Sequence, residues 1–272
     1  MRLSVDHVTH YRFEPPMRGV IQSLRLTPSV FDGQIAIDWS IDTGDAVRGA
    51  TFRDGAGDWI ETAKHVGPTE ESFVAVRGLV ETVDLTGVLR GHREIMSPAV
   101  YLRSTRATRP DIALTELAQA AVAKIAPDRG LDRAHALMNA VADAVAYSPG
   151  ETEHGTTAAE ALAMGHGVCQ DHTHVLIAAA RLLDMPARYV TGYLFASEDE
   201  TAQEASHAWA EIFVPDLGWV GFDTSNRICP NDHYIRIGSG RDAADAAPIR
   251  GVARGFGEES LDVKVVVNLA AQ

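Results

Sequence analysis

The sequence of 272 residues is poor in cysteine, in positive charge and in long apolar runs. Its two cysteines, Cys169 and Cys229, are too few for a disulfide framework and agree with a reducing compartment. Lys and Arg number 24 against 37 Asp and Glu, a formal net charge of −13, and no basic cluster suggests a nucleic-acid partner. No stretch approaches the roughly 18 apolar residues of a membrane helix, and the chain start lacks the apolar core of a secretory signal. We therefore expect a cytoplasmic protein without a nucleic-acid or membrane partner.

What the sequence does contain is the composition of a globular protein, with 46% apolar and 22% charged residues. The length allows two domains, and the pattern along the chain divides near residues 104–111. Residues 1–105 alternate apolar and polar side chains in short runs, which predicts an antiparallel β-sandwich with turns at 14–19 and 54–58. Residues 106–272 are predicted to form a second, α+β domain. The oligomeric state is left open.

The second domain begins with helical periodicity and ends with strands. Apolar stripes predict helices over 111–125 and 131–147, and Thr157 with Glu160 has the spacing of a capping box for a short helix ended by Gly165. A further helix is predicted from Cys169 to residue 184, before Pro186. The strands that we predict after it cover residues 188–195, 206–214, 219–224 and 262–268.

Cys169 lies at the start of a predicted helix, two residues after the glycine-containing stretch Gly165-His166-Gly167. Unpaired amide groups and the positive end of the helix dipole favour a thiolate, which is the nucleophilic form of cysteine. The Cys169 amide could also donate to an oxyanion. By position alone, a small buried side chain is the more natural interpretation, because free cysteines are among the most buried residues.

A second segment, Ser206 to Asn226, reads as a hairpin whose loop is Pro215-Asp216-Leu217. If Val214 pairs with Gly218, Asp223 becomes the diagonal neighbour of His207 on one face of the hairpin. An aspartate that accepts a proton from one imidazole nitrogen leaves the other nitrogen for a thiol. Cys169 as nucleophile, His207 as base and Asp223 as the residue that orients His207 would together form a catalytic triad.

The segments GVCQDHTH, PARYVTGYL and SHAWAEIFVPDLGWVGFDTSN resemble the bacterial transglutaminase-like cysteine peptidases. The stretch VTHYRFEPPMRGVIQSLRLTPS resembles the β-domain that precedes their catalytic core, so the resemblance covers most of the chain. It implies a papain-like core in which Cys169, His207 and Asp223 match the triad positions. It also implies that amide bonds are cleaved or exchanged through a thioester.

Three further residues near these segments are candidates for substrate binding or oxyanion stabilisation. Tyr147 occupies a place similar to an aromatic residue near the family's cleft, although a purely structural role fits it equally well. Gln170 adjoins the nucleophile and would orient the substrate or remain a solvated residue. Trp209 lies two residues beyond His207, so it should share a strand face with His207 and cover the imidazole.

A metal site, a peptide-binding module and a transglutaminase are the alternatives to a cysteine hydrolase. His166, His172 and His174 surround Cys169, but His172 and His174 point about 200° apart on a helix, so we expect no metal site and no cofactor. The chain could also be a non-catalytic module that binds peptides, or a transglutaminase that transfers amines. We expect a hydrolase of peptide or protein amide bonds, since no amine pocket is recognisable.

Overall fold

The computed structural model of the protein describes residues 1–196 and 206–270. The first part of the chain consists of four antiparallel strands. They are β1 (Arg2–Leu24), β2 (Gln34–Asp42), β3 (Val47–Arg53) and β4 (Trp59–Thr82). The turn predicted at 54–58 joins β3 to β4, and backbone hydrogen bonds between Asp54, Gly57 and Asp58 close it.

The predicted sandwich is built from one sheet that bends over on itself. β1 and β4 pair along two stretches, and the register shifts between Arg12 and Gly19. β2 pairs with the second half of β4 and β3 with the first half. Side chains from both halves share one core, in which Ala63 packs with Val74 and Val76. The stretch 14–19, predicted as a turn between two strands, therefore marks a bend within β1.

The middle of the chain forms the α+β core, whose helices and strands follow the predicted order. Its helices are α1 (Ile112–Val122), α2 (Gly130–Ala144), α3 (Ala158–Met164) and α4 (Cys169–Leu182). Its strands are β5 (Ala146–Tyr147), β6 (His166–Gly167), β7 (Ala187–Leu194), β8 (Ser206–Val214), β9 (Gly218–Phe222) and β10 (Tyr234–Gly240). A short 3-10 helix, Pro98–Leu102, precedes this core. β5, β6 and β10 were not predicted from the sequence, and β5 takes up the last two residues of the helix predicted over 131–147.

The central helix α4 is buried on all sides and lies against an antiparallel sheet of order β10-β7-β8-β9. The other helices pack around α4, so the helix that begins at Cys169 forms the middle of the core. The predicted capping box is present, because the side chains of Thr157 and Glu160 each accept from the other's backbone amide. Gly165 ends α3 at φ +70°, a left-handed conformation that favours glycine.

The last two strands return to the first sheet. β11 (Ile249–Ala253) and β12 (Glu258–Leu269) both pair with β1, along its second and first halves respectively. The predicted division assigned all of 106–272 to the second domain, whereas residues 249–269 complete the sandwich. This return covers an edge of β1 whose backbone groups would otherwise be unpaired.

A buried ionic network joins the two parts. Glu211 on β8 accepts from Arg188 at 2.6 Å and from Arg236 at 2.8 Å. Arg236 also donates to Asp58 of the sandwich at 2.9 Å. Burial raises the pKa of Glu211, but the two guanidinium groups outweigh this effect and lower the pKa from 4.5 to about 2. Glu211 therefore stays ionised and holds the sandwich to the core.

The substitution Glu211→Gln should destabilise the protein by about 3 kcal/mol, since it removes the negative charge that two buried guanidinium groups share. Arg188 keeps its contact with Glu94, and Arg236 keeps its contact with Asp58. Glu211 contributes fully above pH 4.5, and its contribution is lost as the pH falls towards 2. The stability of the variant should therefore depend less on pH between those values. Urea unfolding at several pH values measures both effects.

Asp6→Asn, which removes an exposed partner of Arg77, is the control and should lower the free energy of unfolding by less than about 1 kcal/mol. Equal losses in the two variants would contradict the role of the network.

Candidate active site

Cys169 is the first residue of α4, and its side chain is partly exposed. The Asp171 carboxylate holds this helix start, because Oδ2 accepts from the Val168 amide at 2.9 Å and from the Thr152 hydroxyl at 2.6 Å. A Cβ on Gly167 would lie 2.6 Å from the Cβ of Asp171, so only glycine allows this close approach. The thiol thus lies at the positive end of a buried helix, as predicted.

The β8–β9 hairpin has the predicted register. Val214 pairs with Gly218 and Ala210 with Phe222. Asp223 follows directly after β9, where its backbone pairs with Ile228. The His207 and Asp223 side chains meet with 2.6 Å between Nε2 and Oδ2. The predicted diagonal contact is therefore present.

Cys169 lies close enough to His207 to raise the pKa of the imidazole, so one imidazole interacts with both other predicted triad residues. Because Nε2 faces Asp223, Nδ1 is the ring nitrogen left for the sulfur. Burial lowers the pKa of His207, but the hydrogen bonds and charges of Asp223 and Cys169 outweigh burial and raise it from 6.5 to about 10. At neutral pH His207 therefore carries a proton that it can give to a leaving group.

Asp223 is fully buried and accepts from three side chains at Oδ2. The donors are His207, the Tyr234 hydroxyl at 2.7 Å and the Asn226 amide at 2.7 Å. Burial raises the pKa of Asp223, but these hydrogen bonds and the charge of His207 hold it below its ordinary value. Sequence reasoning missed both neutral donors. Asn226 could have been found from its position three residues after Asp223, whereas Tyr234 lies on the strand that was not predicted.

Trp209 packs beside the imidazole, as predicted. Its ring centroid lies 6.4 Å from that of His207 at an interplanar angle of 27°. Trp209 is almost fully buried, and the Tyr234 ring packs edge-on against it at 5.5 Å. Gly192 on β7 leaves room for the indole, since a Cβ there would lie 2.6 Å from Trp209 Cη2. Trp209 therefore restricts how the imidazole can turn.

The structure places the other two candidates on the Cys169 side of the site. Tyr147 is about half exposed and stacks on His172, with centroids 6.2 Å apart. Gln170 donates through Nε2 to the carbonyl oxygen of His154 at 3.3 Å. This contact ties α4 to the connection between β5 and α3, so Gln170 has a structural contact beside its predicted role in substrate binding.

The histidines around Cys169 face different parts of the core. Both ring nitrogens of His172 face carbonyl oxygens, those of Val168 and Val145. His174 accepts from the Ala243 amide through Nε2, and burial lowers its pKa to about 4. Within residues 1–196 and 206–270, no group of three or more His, Cys, Asp or Glu side chains is arranged to hold a metal ion. In the same ranges, no helix has the length and apolar character needed to cross a bilayer.

Comparison with known proteins agrees with this geometry. The model of the transglutaminase-like superfamily matches residues 115–224, which include Cys169, His207 and Asp223. The bacterial transglutaminase-like N-terminal region matches residues 3–81. The uncharacterized protein ML0607 of Mycobacterium leprae is 30% identical over 283 residues, which cover 99% of each chain. The chain belongs to the transglutaminase-like superfamily.

Other relatives of this superfamily member agree in part of the sequence or in fold. The uncharacterized protein Mb2599c of Mycobacterium bovis is 36% identical over 132 residues, 44% of this chain and 42% of its own. A crystal structure from Cytophaga hutchinsonii, named as a candidate cysteine protease, has a TM-score of 0.74 at 23% identity. That similarity covers 100% of this chain and 92% of the other, and it supports the α+β fold as a whole.

The substitution Asp223→Asn should lower the pKa of His207 by about one to three units from its value near 10, because it removes the negative charge while burial remains. Titration of protein labelled with ¹⁵N-histidine, with the His207 signal assigned through His207→Gln, measures this change. Asp143→Asn is the matched control, since that exposed carboxylate pairs with Arg227. An unchanged His207 titration in Asp223→Asn would show that Asp223 does not stabilise the protonated imidazole.

Proposed function

We propose that this protein is a cysteine-dependent acyl-transfer enzyme that hydrolyses amide or peptide bonds through a thioester. The observation that carries the proposal is His207, which is bonded to Asp223 at 2.6 Å, interacts with Cys169 and is protonated at neutral pH. A thiolate next to an imidazolium, with a carboxylate behind it, has the three functions that acyl transfer requires. No step of this chemistry needs a metal or cofactor.

In the first half-reaction the sulfur of Cys169 attacks the carbonyl carbon of the substrate. The carbonyl oxygen becomes an oxyanion, for which the amide groups at the start of α4 are the natural donors. The carbon–nitrogen bond then breaks, and the amine leaves with the proton from His207 Nδ1. The product is a thioester on Cys169, with a neutral imidazole that is still bound to Asp223.

In the second half-reaction water gives a proton to His207 and attacks the thioester. The carbon–sulfur bond breaks, the carboxylic acid leaves, and the thiolate–imidazolium pair is restored. An amine in place of water would give transglutaminase chemistry. We favour water because the sequence shows no recognisable amine pocket.

We take the substrate to be a peptide or protein amide. The two free cysteines fit a cytoplasmic location, because cysteines stay reduced there.

Iodoacetamide should alkylate Cys169 at near-neutral pH much faster than it alkylates free cysteine, because the sulfur lies at the start of α4 beside a protonated imidazole. The rate should fall by about tenfold or more in His207→Ala. Mass spectrometry of digested protein reports the modified residue. Cys229 is the internal control, since burial raises the pKa of its thiol. Equal rates for Cys169 in the two proteins would speak for a non-catalytic binding module.

Incubation with a diverse peptide library should yield cleaved or deamidated peptides, and Cys169→Ser or Cys169→Ala should abolish them. Cleavage of a peptide bond adds one water, and deamidation replaces an amino group by hydroxyl. With added primary amines, transglutaminase activity would instead incorporate the amine. Predominant amine incorporation would overturn the assignment as a hydrolase while leaving the triad in place.

A further inference from the structure

The carboxylate behind the imidazole is shared among more donors than a triad needs. Asp223 Oδ2 accepts from His207 at 2.6 Å, from Tyr234 at 2.7 Å and from the Asn226 side chain at 2.7 Å. Oδ1 accepts only from the Asn226 backbone amide, at 3.2 Å, among the described hydrogen bonds. Both neutral side-chain donors therefore compete with His207 for the same oxygen.

Tyr234 reaches this oxygen from a distant strand of the same sheet. It lies on β10, separated from β8 by β7, and its ring centroid is 5.9 Å from that of His207. The phenol is buried, and it packs edge-on against Trp209. Burial and the charge of Asp223 raise the pKa of Tyr234 beyond its ordinary value, so the hydroxyl remains a donor. Its position is fixed by packing as well as by the hydrogen bond.

We propose that Tyr234 is a positioning residue that holds the Asp223 carboxylate and takes up part of its negative charge, with Asn226 as the second donor. The inference rests on the proposed function of the triad. Tyr234, which lies on β10 and outside the triad, thus controls how firmly Asp223 binds the imidazolium.

The charged and titratable groups that face His207 come from three elements. Asp223 follows β9, Cys169 begins α4 and Tyr234 begins β10, while Trp209 on its own strand carries no charge. A carboxylate that accepts additional hydrogen bonds is a weaker base. Loss of the Tyr234 hydroxyl would therefore concentrate charge on the bond to His207. Asn226 would still orient the carboxylate.

This control matters because His207 must release its proton during each turnover. Asp223 stabilises the imidazolium, and too much stabilisation would keep the proton on the histidine when the amine has to leave. Tyr234 limits that stabilisation. Its hydroxyl should thus have little effect on formation of the thiolate but should favour the breakdown of the tetrahedral intermediate.

The test is a histidine titration of the full chain with Tyr234→Phe, which keeps the ring and removes the hydroxyl. The His207 pKa should rise by about half a unit to one unit, and the proton between His207 and Asp223 should resonate further downfield. Alkylation of Cys169 at neutral pH should be retained. Turnover of a peptide from the library should fall about three- to tenfold, the kinetic equivalent of that pKa change.

The matched control is Tyr193→Phe, which removes a buried tyrosine hydroxyl from the same sheet, where it bonds to His7 at 2.7 Å. It should leave the His207 titration unchanged. Asn226→Ala is the second variant, which replaces Tyr234→Phe in the test if that variant does not fold. It should also raise the His207 pKa. An unchanged or lowered His207 pKa in the folded variant overturns the proposal.

The role of Tyr234 and the proposed enzyme activity can be tested separately. The titration requires neither substrate nor turnover, so it tests Tyr234 even in a protein that hydrolyses nothing. Slow alkylation of Cys169 in the unaltered protein overturns the proposed enzyme activity. A titration that does not move in Tyr234→Phe overturns only the role of its hydroxyl.

Discussion

Glu211 is held between Arg188 and Arg236 in the buried interface, and the relative position of the two parts of the molecule depends on this ionic contact. Arg236 extends the contact to Asp58 in the sandwich. Side chains alternate between the faces of a strand, so Glu211 lies on the same face of β8 as His207. The contact that fixes β8 against the sandwich therefore also fixes the face that presents the imidazole.

The two buried carboxylates on this side of the sheet have different partners and different consequences. Glu211 is neutralised by two guanidinium groups, which stay charged at any ordinary pH. The positive charge around Glu211 therefore does not change with pH. Asp223 has a histidine and two neutral donors, and the proton on that histidine can move. Permanent charges suit a structural contact, whereas a movable proton suits acid–base chemistry.

Local signals in the sequence predicted those features that depend on neighbouring residues. The capping box of Thr157 and Glu160 and the helix start at Cys169 follow from short-range hydrogen bonding. The pairing of Val214 with Gly218 follows from the hairpin loop, and that register was enough to bring His207 to Asp223. The catalytic roles of these residues stay predictions, although the fold and the superfamily agree with them.

These local signals do not predict which strands pair when the strands are far apart in the sequence. β12 reads as a strand in isolation, but nothing within it indicates that it pairs with β1, more than 200 residues away. Tyr234 lies on a strand that the pattern did not reveal, and its hydroxyl reaches Asp223 only because β10 and β8 flank β7. The sequence by itself determined the helix start at Cys169 and the hairpin that brings His207 to Asp223, because both depend on contacts close along the chain. Only the tertiary structure decided what surrounds Asp223 and which strands complete the sandwich, because those contacts join residues that are distant in sequence.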